Sequence, residues 1–416
     1  MSRRGRVRTL TWLEMRILIL SQHFTPEVTA ARARVHAFAQ GLADRGHEVE
    51  VLCEVPNHPE GIVRPGYGGR ATIRRTLDGF EVRYLWVRAS PRKTLLSRLL
   101  LYGTYAAMAS GVGATLARPD VILASSPPLP TGAAAALLAI RHRVPWVLDV
   151  RDLWPEAAVI LGELTDARAV RAAEWLEQRL YRSAAAITTV TEPFREQISD
   201  RIGDPEKTIV IPNGTSRLWL ETGESEVERS TVGLPGDRFI WAYGGNLGIA
   251  QGLETAIEAA ASLDEGFQLV LLGGGPMRQQ LEQQATSLPP GSVTFHDPVQ
   301  PEVAARYLRA ADALLVPLDT QPALEKFVPS KLFDCCALGR PVIVAAAGEA
   351  SRLASTADAA LVVPPGDPQA LADAVRALRS DTALRDRLAA AGRSFAAEYL
   401  RERQIERLEG VLKTAI

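Results

Sequence analysis

The sequence predicts an α/β protein built from two doubly wound, mostly parallel sheets, two nucleotide-fold domains that face a cleft. Three observations predict it. Short apolar, β-branched runs alternate with amphipathic stretches along nearly all of the 416 residues. The alternation stops once, at 215–237, where Glu221, Glu224, Glu226 and Glu228 gather with little apolar content, and then restarts. Several strand candidates end in glycine-rich turns that open helices.

In the first half the strand candidates are 15–22, 47–54, 80–87, 120–126, 145–151, 185–191 and 208–214. Between the first two, Val35, Phe38, Ala39 and Leu42 recur at helical spacing and Gly46 follows as a C-cap. The second half repeats the rhythm with strands at 238–245, 267–275, 292–299, 311–318, 340–347 and 359–366. Helices are expected at 250–262, 276–286, 300–310, 330–338 and 368–377, before a charged helical tail from 381. This gives a basic N-terminal arm (1–14), a first domain (15–215), a linker (216–237), a second domain (238–395) and a C-terminal helix (396–416).

Composition removes several classes of function. Apolar residues are 47% and charged residues 23%, as in soluble globular chains. Lys plus Arg number 47 and Asp plus Glu 48, a net charge of −1, so no nucleic-acid partner is expected. Three cysteines, Cys53, Cys335 and Cys336, make neither a disulfide framework nor a C-x-x-C site. There is no H-E-x-x-H and no D-x-D, so neither a metal nor a resident cofactor is expected. The arm MSRRGRVRTLTWLEM is basic but lacks the long apolar run of a secretory signal, which points to the cytoplasm.

Residues 99–117 form a run of 19 without charge, near the length of a spanning helix. Gly103, Gly111 and Gly113 make it only mildly apolar, and a buried helix packing through small residues is the plainer reading. Around it, residues 64–118 carry ten Arg or Lys against Asp78 and Glu81, a local +8. A basic rim beside apolar surface suits anionic lipid, so peripheral attachment to an anionic membrane surface is expected.

Four strand-end motifs carry the chemistry. YGGNLGIAQGLE (243–254) places Gly244, Gly245 and Asn246 where a helix N-terminus supplies N–H donors to an anion; a plain tight turn is the competing reading. Gly273-Gly274-Gly275-Pro276 offers room for a flat ligand such as a base. In EKFVPSKLFDCCALGRPVIV (325–344), Pro329 and Ser330 open a helix, Lys331 adds a full charge, and Asp334 lies one turn on. A carboxylate there suits a ribose diol, against the alternative of an i,i+3 ion pair with Lys331. WVLDVRDLWPE (146–156) crowds Asp149, Arg151, Asp152, Trp154 and Glu156 at another strand end, where Asp152 or Glu156 acts on a hydroxyl or merely caps a helix. Upstream, HFTPEVTAARAR (23–34) opens a helix on the small residues Thr29, Ala30 and Ala31, and PNHPEG (56–61) is turn-rich.

Taken together, QHFTPEVTAARAR, LADRGHEVEVL, PNHPEG, DVRDLWPE, IPNG, YGGNLGIAQGLE, LLGGGP and PSKLFDCCALGRPVI span about 20 to 345 and resemble a family 4 glycosyltransferase of the GT-B fold. Within that family the chain is similar to the fucosamine-transferase-like branch that builds bacterial surface polysaccharide and O-antigen. The resemblance implies a nucleotide-sugar donor, most simply a UDP-sugar, in the second domain. It also implies a glycan or polyprenyl-linked acceptor in the first, and transfer with retention and without metal. It implies donor contacts from Gly244, Gly245, Asn246, Gly274, Gly275, Val299, Glu325, Pro329, Ser330, Lys331 and Asp334. Acceptor contacts are implied for Thr29, Ala30, Arg32, Asn57, Trp154 and Glu156, and a catalytic group of Asp152, Arg151 and Lys331. The chain departs from the family's E-x7-E pattern, with Lys326 and Asp334 at the two positions, and from its phosphate-binding Arg and Lys, replaced by Asn246 and Gln251. The family's His-Asp pair becomes Arg151-Asp152. Lys331 and backbone amides are therefore expected to hold the diphosphate, with closure of the cleft expelling water. The rival readings are a sugar-nucleotide epimerase on the same fold and a non-catalytic nucleotide-sugar-binding scaffold; a nicotinamide dehydrogenase is disfavoured because neither glycine loop fits the dinucleotide fingerprint.

Overall fold

The computed structural model describes residues 14–27, 30–92, 94–160 and 164–416. The arm at 1–13, Thr29 and Lys93 lie outside the described residues. Two compact units emerge. The first comprises residues up to Thr189 with 195–210 and 405–416, and the second 190–194 with 211–404.

The first unit runs β1 (Arg16–Leu20), α1 (Ala30–Asp44), β2 (Glu48–Glu54), β3 (Thr72–Leu77), β4 (Phe80–Leu85), α2 (Leu95–Gly113), β5 (Val121–Ser126) and α3 (Leu129–His142). It continues with β6 (Trp146–Val150), α4 (Glu156–Ile160), α5 (Ala167–Ser183), β7 (Ala186–Thr189), α6 (Glu192–Ile202) and β8 (Thr208–Val210). The strand order is β3-β4-β2-β1-β5-β6-β7-β8. β1 lies parallel to both β2 and β5, so the winding reverses there and the loops after β1 and β5 flank a switch point. β5 and β6 are buried at every position, as expected of strands covered on both faces.

β3 is an addition to the expected strands. It pairs antiparallel with β4 across Asp78-Gly79, both at positive φ of 43° and 85°, the geometry of a tight hairpin turn. Its TIRRTL sequence suits an edge strand: Arg74 pairs with Glu81 on β4 at 2.5 Å, and Arg75 lies over the Tyr67 ring, 4.3 Å from its centroid.

The uncharged stretch becomes α2. Tyr105 and Ala109 are fully buried, and the Tyr105 hydroxyl donates to the Leu52 carbonyl at 2.9 Å. A Cβ at Gly113 would lie 2.6 Å from Leu138 of α3, so the small residue permits the close approach. No described helix is long and apolar enough to cross a membrane.

The second unit runs α7 (Arg217–Glu224), β9 (Phe239–Gly244), α8 (Glu254–Ala261), β10 (Phe267–Leu272), α9 (Arg278–Ala285), β11 (Val293–His296), α10 (Pro301–Ala310) and β12 (Ala313–Pro317). Then follow α11 (Ser330–Ala337), β13 (Val342–Ala345), α12 (Glu349–Thr356), β14 (Leu361–Val363), α13 (Pro368–Ser380), α14 (Thr382–Glu398) and α15 (Arg401–Ala415). Its order, β11-β10-β9-β12-β13-β14, is all parallel and reverses at β9/β12. Successive β9 residues serve opposite layers: Ile240 and Ala242 join one core cluster, Trp241 and Tyr243 the other.

Two expected boundaries change. Residues 216–237 are not a bare linker: α7 and a 3-10 turn at Arg229–Val232 form there, with Trp219, Leu220 and Val227 packed on the core. The apolar residues scattered among the glutamates supply one packing face. The terminal helix is not a separate tail, because its later residues return to the first unit, where Ile405, Leu408 and Leu412 are buried and Glu409 lies 3.1 Å from His47.

One polar cluster pins the first unit. Asp149 on β6 is fully buried and takes Arg34 of α1 at 2.8 Å and the Thr188 hydroxyl of β7 at 2.9 Å. Burial alone would raise its pKa, but Arg34 outweighs burial and holds it below the usual carboxylate range. Asp149→Ala leaves Arg34 buried without its carboxylate, so it is predicted to cost about 3–5 kcal/mol. Denaturant unfolding of the purified variant checks this; a loss under about 1 kcal/mol contradicts it.

Candidate active site

In the second unit three segments meet at the switch point. β9 ends at Gly244 and turns at Gly245 (φ 141°), and β10 runs into Gly273 (φ 144°). The Gly245 amide donates to the Leu272 carbonyl at 2.9 Å, and the Leu247 amide to the Gly274 carbonyl at 2.9 Å. A Cβ at Gly273 would lie 1.9 Å from the Gly245 oxygen, and one at Gly275 would lie 2.4 Å from the Leu247 oxygen. Glycine is required at both positions by contact as well as by φ.

The third segment is the start of α11. Its N-cap position, Pro329, makes no side-chain capping bond, so the first-turn amides at Ser330 and Lys331 are available to a ligand. The Lys331 ammonium donates to the Tyr243 hydroxyl at 2.7 Å and lies 4.4 Å from that ring's centroid. The hydroxyl donates in turn to the Asn246 carbonyl at 2.6 Å. Burial lowers Lys331 to about 8, partly opposed by Asp334, and pushes the Tyr243 phenol up. A Cβ on Gly245 would come 2.8 Å from the ammonium, which places the cation at the glycine turn.

Gly244, Gly245, Asn246, Gly274, Gly275, Pro329, Ser330 and Lys331 are thus gathered. Asp334 is engaged elsewhere on the same helix. It accepts the Thr215 hydroxyl at 2.7 Å, and burial raises it to about 6 against the opposing charge of Arg401. Lys331 and Asp334 therefore take different partners. Val299 is 41% exposed after the edge strand β11. Glu325 is exposed in a 3-10 turn at Pro322–Lys326, and its carbonyl is 2.1 Å from where a Gly348 Cβ would sit.

In the first unit the expected residues separate into two kinds. Asp152 is half-buried after β6, and burial raises it against the charge of Arg151. Trp154 is half-buried beside it. Arg151, expected to be catalytic, ties the end of β5: it donates to the Ser125 hydroxyl at 2.9 Å and the Pro127 carbonyl at 2.7 Å. Glu156, expected to meet the acceptor, accepts from Arg201 at 2.9 Å, and Arg201 also pairs with buried Glu177 at 2.5 Å. Arg32 donates to the Thr25 hydroxyl at 3.0 Å. Asn57 is buried, its amide N–H donating to Glu27 at 2.8 Å and its side chain to the Val55 carbonyl at 2.9 Å. Ala30 opens α1.

Sequence reasoning missed a cluster here. His23, after β1, places Nδ1 3.1 Å from Glu27 and 3.1 Å from Glu54 at the end of β2. Both carboxylates are buried, and the three potential ligand atoms lie within 4.8 Å of one another. Burial alone would lower His23, but the two carboxylates outweigh it and hold it up to about 9. Glu27, which also accepts the Asn57 and His58 amides, is held low against burial, whereas burial keeps Glu54 high. The available signal was register: Leu20 pairs with Leu52, so the residues just past both strand ends are level.

A lysine held near 8 gives a directional prediction. Its folded value is below that of an ordinary lysine, so the cation is present below about pH 8 and lost above it. Affinity for a nucleoside diphosphate is predicted to fall as pH rises past 8, with proton uptake on binding near that pH. Lys331→Met should remove the pH slope and lower kcat/KM about a hundredfold, roughly 3 kcal/mol. Calorimetry with UDP across pH checks this; an unchanged slope in the variant contradicts it.

Residues 29–214 match the Glycosyl transferase 4-like domain, and residues 224–395 match Glycosyl transferases group 1. The chain is 26% identical over 351 residues to WcaI of Escherichia coli (strain K12), named as a colanic acid biosynthesis glycosyl transferase, covering 80% of this chain and 83% of that one. It is 25% identical to TuaC of Bacillus subtilis (strain 168), named for teichuronic acid biosynthesis, covering 81% and 82%. Among solved structures, Anabaena Alr3699/HepE in complex with UDP and glucose superposes with a TM-score of 0.70 at 19% identity, covering 96% of this chain and 100% of that one. With both domain matches in chain order on two doubly wound units, the protein belongs to the family 4 glycosyltransferases of the GT-B fold.

Proposed function

We propose that this glycosyltransferase moves a hexosyl or N-acetylhexosaminyl unit from a UDP-sugar to a polyprenyl-linked or other glycan acceptor, with retention, in bacterial surface polysaccharide synthesis. The observation that carries the donor half is Lys331, a half-buried ammonium held on the Tyr243 hydroxyl at the Gly245 turn of a switch point. The names of WcaI and TuaC support the polysaccharide assignment, and the UDP in HepE supports the base. The family resemblance to the fucosamine-transferase-like branch supports retention.

The chemistry follows from charge. As the glycosidic bond breaks, negative charge develops on the leaving diphosphate. Lys331 and the first-turn amides of α11 stabilise that charge, and such preorganised stabilisation is the main source of rate acceleration in a site of this kind. The glycine turns let backbone approach the diphosphate. Asp334 offers its second carboxylate oxygen to the ribose. Asp152, its pKa raised by burial, orients the acceptor hydroxyl, and the departing phosphate takes the hydroxyl's proton. This chemistry uses neither a metal nor a resident cofactor.

The enzyme works at the cytoplasmic face of the membrane. Arg74 and Arg83 are paired with Glu81 and Glu50, so the attraction to anionic lipid comes from the remaining basic residues and from exposed Trp86, Leu96 and Leu99.

Full-length protein is predicted to release UDP from one member of a UDP-sugar panel only when membrane lipid carrying the acceptor is present, to retain most of its rate in excess chelator, and to sediment with anionic vesicles at low salt. UDP release independent of acceptor favours the epimerase; binding without turnover favours the scaffold. Loss of rate in chelator that manganese restores contradicts the metal-free chemistry.

A further inference from the structure

A cavity of about 280 Å³ lies in the first unit, walled by the loops after β1 and β2 and by the first turns of α2. We propose that it binds the phosphate or diphosphate group of the acceptor. The proposal rests on the glycosyltransferase reading and adds the chemical class of the acceptor.

Its lining carries His23, Arg92, Arg98, Ser97, Asn57 and Tyr102, and among the described residues contains no aspartate or glutamate. Two nearby carboxylates sit behind the wall, whereas Glu60, between the lining residues Pro59 and Gly61, is exposed. Glu27 and Glu54 are buried and both engage Nδ1 of His23. They hold the ring as an imidazolium and leave Nε2 as its second donor. Two guanidiniums and an imidazolium around one small space disfavour a cationic or apolar guest. They match an anion with several acceptor oxygens, for which arginine forks are suited. Thr94 caps α2 by accepting the Ser97 amide at 3.3 Å, so the positive end of a 19-residue helix adds to the same field. The volume is small beside a site for a whole drug-sized ligand, and suits a polar head group.

What lies beside the cavity indicates how the anion is carried. Leu96 and Leu99 are 67% and 57% exposed and flank Ser97 and Arg98 directly. An alkyl ester of a diphosphate would leave the cavity onto these side chains; a free phosphorylated sugar would not use them. The donor's own diphosphate has its place in the other unit, at Lys331.

The test uses full-length protein with saturating UDP, titrated calorimetrically with inorganic pyrophosphate, farnesyl diphosphate, farnesol and glucuronate. Pyrophosphate should bind, and the Arg92→Gln/Arg98→Gln variant should bind it at least tenfold more weakly while UDP affinity stays within twofold. Farnesyl diphosphate binding at least tenfold tighter than pyrophosphate assigns a lipid-linked source; equal affinities assign a free phosphorylated one. The proposal is overturned if pyrophosphate does not bind, if the double variant binds it as the wild type does, or if farnesol or glucuronate binds as well as the diphosphates. Should UDP itself fail to bind, the donor assignment fails, and the pyrophosphate comparison between wild type and variant is read without it.

Discussion

Two turns packed too closely to admit a side chain control the donor half of this protein. The Gly245 oxygen occupies the space that a Cβ at residue 273 would need. That contact fixes the ends of β9 and β10 against each other, and the Tyr243 hydroxyl bound to the Asn246 carbonyl fixes the rest of the first turn. Lys331 is then held by a rigid phenol rather than by a flexible carboxylate. An ammonium paired with a carboxylate would present little net charge to a ligand; one resting on a neutral hydroxyl keeps its field for an incoming anion. The cost is a lysine that burial drives toward its neutral form, and an anionic ligand would reverse that cost on binding.

The two units use the same topology for different anchoring. In the second, the switch point is lined by backbone and one cation. In the first, the strand ends hold acid–base pairs with buried carboxylates: Arg34 with Asp149, and half-buried His23 with Glu27 and Glu54. Arg151 serves this framework by binding Ser125, whose hydroxyl donates to Asp149 at 3.3 Å. Such networks position backbone at the strand ends and are costly to leave half satisfied.

Both sheets were readable from the sequence because their inner strands, such as β1, β5, β10, β12 and β13, are buried on both faces and appear as short apolar runs. The edge strand β3 was not, since Arg74 and Arg75 give TIRRTL no core face, although Asp78-Gly79 marked its turn. The region 216–237 misled through its glutamates, which hide Trp219, Leu220 and Val227. At the site, Lys331 was legible because a helix start follows a strand end in PSK. Its partner was not, because Tyr243 reads as one more buried strand residue and only the fold brings it to a lysine 88 positions away. The same holds for Asp334 with Thr215 and for Glu156 with Arg201, whose partners lie far away in the sequence and meet them only in the fold.

The central claim is that the donor nucleotide is held within the second unit, by the two glycine turns and the start of α11. Amide hydrogen exchange on the full-length protein, with and without UDP, tests it most directly. The account predicts slowed exchange at 244–248, 273–277 and 329–334, with the first unit's strand ends unchanged. Slowing confined to residues 21–27 or 149–156, with none at those three segments, would contradict it.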